Sequence, residues 1–215
     1  MLHADADSQS RPSMVVRGTL GYGMDVARFA EATQAIPFAV LHRAFLVFIP
    51  PPPSRILDVG AGIGRDASVL AAMGHTVVAV EPTPAFLATA RRLYDAPGIQ
   101  WVHDALPELA SLRHDGEWFD FVLASAMWHH LDGGEQEASL ARIATMLRPG
   151  GVVALSLRHG PAGVGTHVFP TDGQATIRTA KRFGLRPVLQ VPPQPSLLPN
   201  KPDVTWTRLV FEKRA

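Results

Sequence analysis

The feature that most constrains this chain is a repeated alternation, from residue 54 onward, of short β-branched apolar runs with longer segments of helical spacing. Such alternation is typical of successive βαβ units around a parallel sheet. The predicted strands are residues 55–59, 76–80, 99–103, 119–124, 152–157, 185–191 and 205–212. The predicted helices of this part are residues 65–73, 84–94, 135–147 and 172–183. The sequence therefore predicts an α/β fold with a doubly wound sheet and helices on both faces.

The two ends of the chain depart from this alternation. The last two strands are joined by the proline-rich residues 192–202, which are too few to form a crossover helix, so we expect these strands to pair antiparallel. Near the start, residues 25–34 and 38–48 have helical spacing, and four prolines at 50–53 end the second helix. The predicted organisation is a loosely held tail at 1–14, an N-terminal helical cap and proline linker at 15–53, and a main domain at 54–215.

Composition limits the classes of protein to which the chain can belong. With 20 basic and 19 acidic residues and a net charge of +1, the chain lacks the basic excess of a nucleic-acid-binding protein. It has no cysteine, which excludes disulfides, thiolate metal sites and cysteine nucleophiles. The apolar residues 36–50 are fewer than the roughly 20 needed to span a bilayer, and the polar first fourteen residues do not resemble a secretory signal. We expect a cytoplasmic protein without nucleic-acid or membrane partners, as a monomer or homodimer.

A glycine-rich turn follows the first predicted strand, in the run Ile-Leu-Asp-Val-Gly-Ala-Gly-Ile-Gly-Arg at 56–65. Glycines let the backbone turn tightly and approach a ligand closely. Dinucleotide-binding enzymes need a further glycine where this chain has Arg65. The Asp58 carboxylate would also repel a pyrophosphate, whereas it would attract the cationic amino and sulfonium groups of S-adenosylmethionine. The loop therefore favours S-adenosylmethionine over a nicotinamide cofactor.

Acidic residues also follow the next two predicted strands. Glu81 ends the second strand, where a carboxylate can accept hydrogen bonds from both ribose hydroxyls. Asp104 follows the third, where it can accept from an adenine amino group, while the backbone N–H of Ala105 can meet a ring nitrogen. Because parallel strands end at one edge of a sheet, we expect Asp58, Glu81 and Asp104 to point into one crevice.

Six runs of sequence together resemble the successive motifs of class I S-adenosylmethionine-dependent methyltransferases, of the type that acts on small molecules. They occur in the order and at the intervals of that family and lie within residues 54–157. The runs are residues 57–64, 78–83, 104–107, 119–122, 128–131 and 147–151. The resemblance implies a sheet in the order 3-2-1-4-5-7-6 with strand 7 antiparallel, and a cofactor bound over strands 1, 2 and 4.

The same resemblance implies a role for each cofactor-binding residue. The glycine loop would surround the methionine part, with Asp58 supporting it, and Ser125 and Ala126 would contact its far side. Glu81 would hold the ribose, and Tyr22 would reach the cofactor from the cap. The full predicted set is Tyr22, Asp58, Gly60, Ala61, Gly62, Gly64, Arg65, Glu81, Pro82, Asp104, Ala105, Leu106, Ser125 and Ala126.

Methyl transfer from a sulfonium depends on alignment and exclusion of water, and it needs a base only when the acceptor is protonated. His129 and His130, after the fourth strand, are the candidate catalytic residues, as a base or for positioning and packing. The predicted substrate-binding residues are Trp128, His129, Arg158 and His159. The alternatives are a core position for Trp128 and solvent-facing loop positions for Arg158 and His159. The remaining histidines lack ligand spacing, so no metal site is predicted.

The expected function is transfer of a methyl group to an oxygen, nitrogen or carbon atom of a small-molecule acceptor. The short cap and the balanced charge favour a small acceptor. Three alternatives stay open at this point: a non-catalytic module that binds S-adenosylmethionine or a partner, an RNA or protein methyltransferase, and, disfavoured by Arg65 and Asp58, an oxidoreductase using a nicotinamide cofactor.

Overall fold

A seven-stranded sheet forms the centre of the protein in the computed structural model, which describes residues 16–112, 118–162 and 167–214. The predicted tail at 1–14 lies outside the described residues. The strand order is β3-β2-β1-β4-β5-β7-β6, as the resemblance implied. The strands are β1 (Arg55–Val59), β2 (Thr76–Val80), β3 (Ile99–Val102), β4 (Phe119–Ala124), β5 (Leu147–His159), β6 (Leu185–Pro195) and β7 (Thr205–Lys213).

Strand pairing explains where a site can form. Strand β1 lies between β2 and β4, with both pairings parallel, and β5 continues the parallel part beyond β4. Strand β7 runs antiparallel to both β5 and β6, which confirms the prediction from the short proline-rich connection. The chain leaves β1 toward β2 on one side and reaches β4 on the other, so a crevice opens at the carboxyl ends of β1 and β4.

Helices cover both faces of this sheet. They are α1 (Val26–Gln34), α2 (Phe38–Leu41), α3 (Arg65–Ala72), α4 (Pro84–Leu93), α5 (Gly133–Met146) and α6 (Gly173–Arg182). Helix α1 begins after Asp25, whose side chain accepts a hydrogen bond from Arg28 N, and α5 begins with a reciprocal capping box of Asp132 and Glu135. Among the described residues, none of these helices is long and apolar enough to cross a membrane.

Alternation along the buried strands divides the core between the two faces. Ile56 of β1 packs with α3 and with Phe45 of the N-terminal segment, whereas its neighbour Leu57 packs with side chains of α5 and α6. The interior strands are therefore apolar on both faces, as expected for a parallel sheet enclosed by helices.

The prediction of one helix at 38–48 is wrong. Helix α2 ends at Leu41, the backbone of His42 leaves the helical region (φ −100°, ψ 19°), and a 3-10 turn follows at Leu46–Phe48. The buried His42 ring bonds to Asp66 at 2.7 Å, and Phe45 is buried in the core. An apolar pattern does not distinguish a helix from consecutive tight turns, so these tertiary contacts decide the conformation.

Gly64 is required by packing within the protein. It precedes α3 with a φ of +88°, and a Cβ added there would lie 2.4 Å from Cη2 of Trp101. The sequence predicted instead that this glycine makes room for a ligand. Gly184 offers a matched comparison, because its φ is +75° but no atom lies within 4 Å of an added Cβ.

We expect Gly64→Ala to lower the free energy of unfolding more than Gly184→Ala does. Both variants bear the left-handed backbone cost of about 1–2 kcal/mol, and overpacking against Trp101 adds about 1–3 kcal/mol to the first. Urea unfolding of the two variants and the wild type measures the difference. If both variants lose the same free energy of unfolding, the contact with Trp101 does not require glycine at position 64.

Candidate active site

A cavity of roughly 310 Å³ lies at the carboxyl edge of the parallel strands. Its floor is formed by the residues that follow β1, β2, β3 and β4. The N-terminal segment covers it from one side with Tyr22 and Phe29, and residues 196–201 of the β6–β7 connection close the other. This is the edge at which open α/β sheets bind ligands.

Most of the residues predicted from the sequence do line this cavity. They are Tyr22, Gly60, Ala61, Gly62, Arg65, Glu81, Pro82, Asp104, Ala105, Leu106, Ser125, Ala126, His129, His130 and Arg158. Four predicted residues do not: Asp58, Gly64, Trp128 and His159.

Glu81 connects the glycine loop to the end of β2. Its Oε2 accepts a hydrogen bond from Gly62 N at 2.8 Å, and its Oε1 accepts one from Thr83 N at 2.8 Å. Burial raises the pKa of this carboxyl, while the bonds from Thr83 and Gly62 act in the opposite direction. Each carboxylate oxygen can accept a further bond, so Glu81 can hold the loop and still bind a hydroxyl in the cavity.

Asp104 fixes the turn after β3. Its Oδ1 accepts a hydrogen bond from Ala105 N at 2.8 Å, and its Oδ2 accepts one from Ser111 N at 2.6 Å. The backbone N–H of Ala105, which the sequence analysis assigned to an adenine ring nitrogen, thus donates to Asp104 in this structure. The carboxylate keeps its second lone pairs, and both residues lie at the cavity wall.

The loop after β4 approaches the glycine loop closely. A Cβ on Gly60, whose φ is +71°, would lie 2.8 Å from Cβ of Met127. Ala126 has a φ of +54°, and its N–H donates to Ser156 Oγ at 2.6 Å. Ser156, which the sequence analysis missed, therefore holds the loop that carries Ser125 and Ala126.

Comparison with known proteins agrees with this arrangement. Residues 56–151 match the family described as a methyltransferase domain. This match supports the resemblance to methyltransferases that the sequence motifs indicated.

Individual relatives are similar over part of their length. An uncharacterized methyltransferase of Mycobacterium tuberculosis is 29% identical over 144 residues, which cover 64% of this chain and 51% of that protein. The chain thus spans about half the length of this curated relative. Other relatives in the same range of identity are named as tRNA and protein methyltransferases.

Solved structures share the fold of the methyltransferase domain. A TehB-like S-adenosylmethionine-dependent methyltransferase from Corynebacterium glutamicum superposes with a TM-score of 0.66 at 22% identity, covering 90% of this chain and 98% of its own. The 1,6-didemethyltoxoflavin-N1-methyltransferase of Burkholderia thailandensis has a TM-score of 0.64 at 18% identity and covers 99% of both chains. At these identities the likeness concerns the fold.

Asp58 is not part of the cavity wall of the methyltransferase domain. It is in register with Ala79 and Leu123, whose side chains face α3, and so it points beneath the glycine loop. Its Oδ2 finds no hydrogen-bond partner within the described chain. Burial, followed by the nearby Asp66 charge, raises the pKa of Asp58 well above its ordinary value. The expectation that three carboxylates converge in one crevice is therefore wrong for Asp58.

An ion-pair network joins the N-terminal segment to α3. Asp66 bonds to His42 Nε2 through Oδ2 and to Arg65 Nε through Oδ1, both at 2.7 Å. Arg65 also donates from Nη1 to the Thr33 carbonyl at 2.6 Å. Burial acts to raise the pKa of Asp66, but His42 and Arg65 together lower it to about 2. Arg65 lines the cavity, yet these donors are directed at the N-terminal segment and α3.

His129 and His130 lie on a 3-10 turn at Trp128–His130 and are both buried at the cavity wall. Burial lowers the pKa of His130 to about 4, with hydrogen bonds to the backbone of His167 and Gly18 acting in the opposite direction and Arg158 adding to the effect. Burial, then His130 and Arg158, lower the pKa of His129 well below its ordinary value. Both rings are therefore neutral near pH 7.

Two predicted substrate-binding residues face away from the cavity. Trp128 is 0% exposed and packs in the core, so the alternative of a core position holds for it. His159 bonds to Thr207 Oγ1 at 2.9 Å. Successive side chains of a strand point to opposite faces, so Arg158 and His159 cannot both face the cavity. Arg158 is the one that does.

The sequence analysis missed the contributions of β7 and of the connection before it. Trp206 and Arg208 of β7, together with Lys201, line the cavity. The only signal for the strand residues was the predicted antiparallel pairing, and its register was not readable from the sequence. In the structure Trp206 lies opposite Arg158, and Arg208 lies opposite Ser156.

We expect Asp66→Asn to reduce stability at pH 6 by about 2 kcal/mol, because the carboxylate pKa is lowered from 3.8 to about 2. The lowered pKa of Asp66 stabilises the folded protein fully when the pH lies above 3.8, the ordinary value of the unfolded state. This stabilisation is lost as the pH falls toward 2. In urea unfolding at pH 6, 4 and 3, the difference in free energy of unfolding between wild type and variant should thus become smaller as the pH falls. Glu137→Gln, which breaks the exposed ion pair with Arg182, is the control and should change stability by less than about 1 kcal/mol. A gap that stays constant down to pH 3 would contradict the assignment.

We expect His130 to make the protein less stable as pH falls. Its folded pKa of about 4 lies below the ordinary 6.5, so below pH 6.5 the unfolded state binds the proton more strongly. The free energy of unfolding should therefore fall by about 2 kcal/mol between pH 7 and pH 5 because of His130. In thermal or urea unfolding, the free energy of unfolding of His130→Gln should lack this decrease between pH 7 and pH 5. The control His103→Gln, which removes an exposed imidazole, should retain it. If His130→Gln shows the same pH dependence of the free energy of unfolding as the wild type, burial of a neutral His130 ring is refuted.

Proposed function

We propose that this protein binds S-adenosylmethionine in the cavity and transfers its methyl group to an oxygen, nitrogen or carbon atom of a small molecule by in-line displacement. The observation that carries the proposal is the link between the glycine loop and Glu81 at the carboxyl edge of the sheet, inside the methyltransferase domain. When bound, the cofactor supplies an electrophilic methyl group on a positively charged sulfur.

The residues present suit this cofactor. Gly60 and Gly62 leave the backbone accessible beside the cavity, and Glu81 and Asp104 offer carboxylate oxygens to hydroxyl and amino donors. Tyr22, Leu106 and Ala126 would contact the adenosyl and methionine parts. Arg65, the basic residue that follows the glycine loop, directs its donors to the N-terminal segment and α3, so this part of the wall suits a cationic ligand without phosphate better than a pyrophosphate.

The acceptor would lie beside His129, His130 and Arg158. Neutral imidazoles do not repel a sulfonium, and their depressed pKa values make them weak proton acceptors at pH 7. We therefore assign the two histidines to positioning the acceptor and excluding water from it. Proton acceptance by either ring is needed only for an acceptor that arrives protonated.

A small acceptor is favoured by the enclosure of the cavity. The proposed cap at residues 15–53 and the segment at 196–201 line it opposite the strand ends of the proposed domain at 54–215. A polynucleotide or a protein could present only a single base or side chain to such a space. The relatives that act by name on tRNA or protein make macromolecular acceptors the alternative to test beside small ones.

Calorimetric titration tests the cofactor directly. We expect S-adenosylmethionine and its demethylated product to bind and NAD not to bind. Glu81→Gln should weaken both interactions by about 1–3 kcal/mol, because an amide has one acceptor oxygen where the carboxylate has two.

The matched control is Glu108→Gln, an exposed glutamate outside the cavity, which should leave both affinities unchanged. Circular dichroism of each variant verifies the fold. Binding of NAD without binding of the adenosyl compounds would overturn the proposal, and equal affinities for wild type and Glu81→Gln would overturn the placement of the ribose.

A further inference from the structure

We propose that the methyl acceptor carries an anionic carboxylate or phosphate group, and that Arg158, Lys201 and Arg208 bind it. This inference rests on the proposed methyl transfer in the same cavity. It names the chemical class of the acceptor, which the methyltransferase domain by itself leaves open.

Strand register brings these residues to one wall. Ser156 and Arg158 are two residues apart on β5, so they point to the same face of the sheet. Their antiparallel partners on β7 are Arg208 and Trp206, which therefore share that face. Lys201, on the connection that leads into β7, lines the same cavity.

None of the three cations has an acidic partner within the described chain. Arg158 is only 5% exposed, and among the described residues its guanidinium donates a hydrogen bond from Nη1 to the carbonyl of Gly160 at 3.2 Å. By contrast, several arginines outside the cavity do form ion pairs: Arg17, Arg148, Arg182 and Arg186. A buried charge without a partner is unfavourable, so an anion in the cavity would complete the coordination of Arg158.

The charges of Arg158 and Lys201 also lie close to each other. Burial and the Arg158 charge lower the pKa of Lys201, and both cations contribute to the low pKa of His129. Burial alone lowers the pKa of Arg208. Mutual repulsion of this kind is relieved when an anion binds between the cations, and the neutral His129 ring adjoins that position.

Of the charged residues that line the cavity, Arg65 and Asp66 form an ion pair with each other, Arg28 lies on α1, and the others separate by strand. Glu81 and Asp104 follow β2 and β3, on the side proposed for the cationic cofactor, whereas Arg158 and Arg208 belong to β5 and β7. An anionic acceptor would thus be drawn to the half of the cavity that the cofactor leaves vacant, with its reactive atom toward the methyl group.

A second cleft of roughly 460 Å³ gives the acceptor additional room. It shares Arg28, Arg158 and Lys201 with the main cavity. Its acidic residues are Asp25 and Asp203; the first accepts the α1 cap bond from Arg28 N, and neither forms an ion pair with the shared cations among the described residues. Arg158 and Lys201, together with Arg28, thus lie where both spaces meet.

The test uses the full chain saturated with the demethylated cofactor product, at constant ionic strength. Benzoate, benzamide and inorganic phosphate are titrated by calorimetry. We expect benzoate or phosphate to bind and benzamide to bind at least about tenfold more weakly, because only the anions form charge-assisted hydrogen bonds. Binding of benzoate alone identifies a carboxylate site, and binding of phosphate identifies a phosphate site.

Variants assign the binding to these residues. Arg158→Gln and Lys201→Gln should each lower the affinity for the anion by about tenfold or more. Lys201 is half-buried, so its replacement carries less risk to the fold. Arg178→Gln and Lys181→Gln, on the exposed side of α6, are the matched controls and should bind normally.

The two proposals fail separately. If the demethylated cofactor product does not bind to the wild type, the proposed function itself is wrong. If it binds but benzamide and the anions bind equally, or if Lys201→Gln and Arg158→Gln bind anions as the controls do, only the anionic acceptor is refuted.

Discussion

Alternation of side chains along parallel strands is the constraint on which the site depends. All parallel strands deliver their carboxyl ends to one edge, but at each end only every second side chain can enter the cavity above it. Asp58 lies within β1, in register with Ala79, and is directed toward α3, whereas Glu81 lies one position beyond the end of β2, in the cavity wall. The same geometry separates Arg158 from His159. Adjacent residues of similar chemistry thus acquire different roles from their register alone.

Hydrogen bonds then connect the parts that surround the cavity. Glu81 holds the glycine loop from the end of β2, and Ser156 holds the loop after β4 from the middle of the sheet. The buried pair of Asp66 and His42 connects the N-terminal segment to α3, the helix that follows the glycine loop. The cavity is therefore bounded by elements that are fixed to the sheet or to one another, which favours alignment of two reactants, the main requirement of an in-line methyl transfer.

The electrostatic arrangement of the cavity agrees with a reaction between a cation and an anion. Glu81 and Asp104 follow β2 and β3, Arg158 and Arg208 belong to β5 and β7, and the neutral His129 and His130 follow β4, which lies between those strands in the sheet. Since methyl transfer from a sulfonium removes positive charge, an environment that holds each reactant by its own charge and excludes water is well suited to it. On this proposal the enzyme selects its acceptor mainly by charge and by the enclosed shape of the cavity.

Sequence patterns predicted the class of fold, the strand order through the resemblance of the motifs, and most of the residues that line the cavity near β1 to β4. These follow from local patterns, such as a glycine loop after a buried strand or an acid at a strand end. The break after Leu41, the burial of Asp58 and Trp128, the bond from Ala126 to Ser156, and the positions of Lys201 and Arg208 in the cavity wall became visible in the three-dimensional structure. Those features depend on register between strands and on contacts between residues far apart in the chain, such as His42 with Asp66, which no local periodicity encodes.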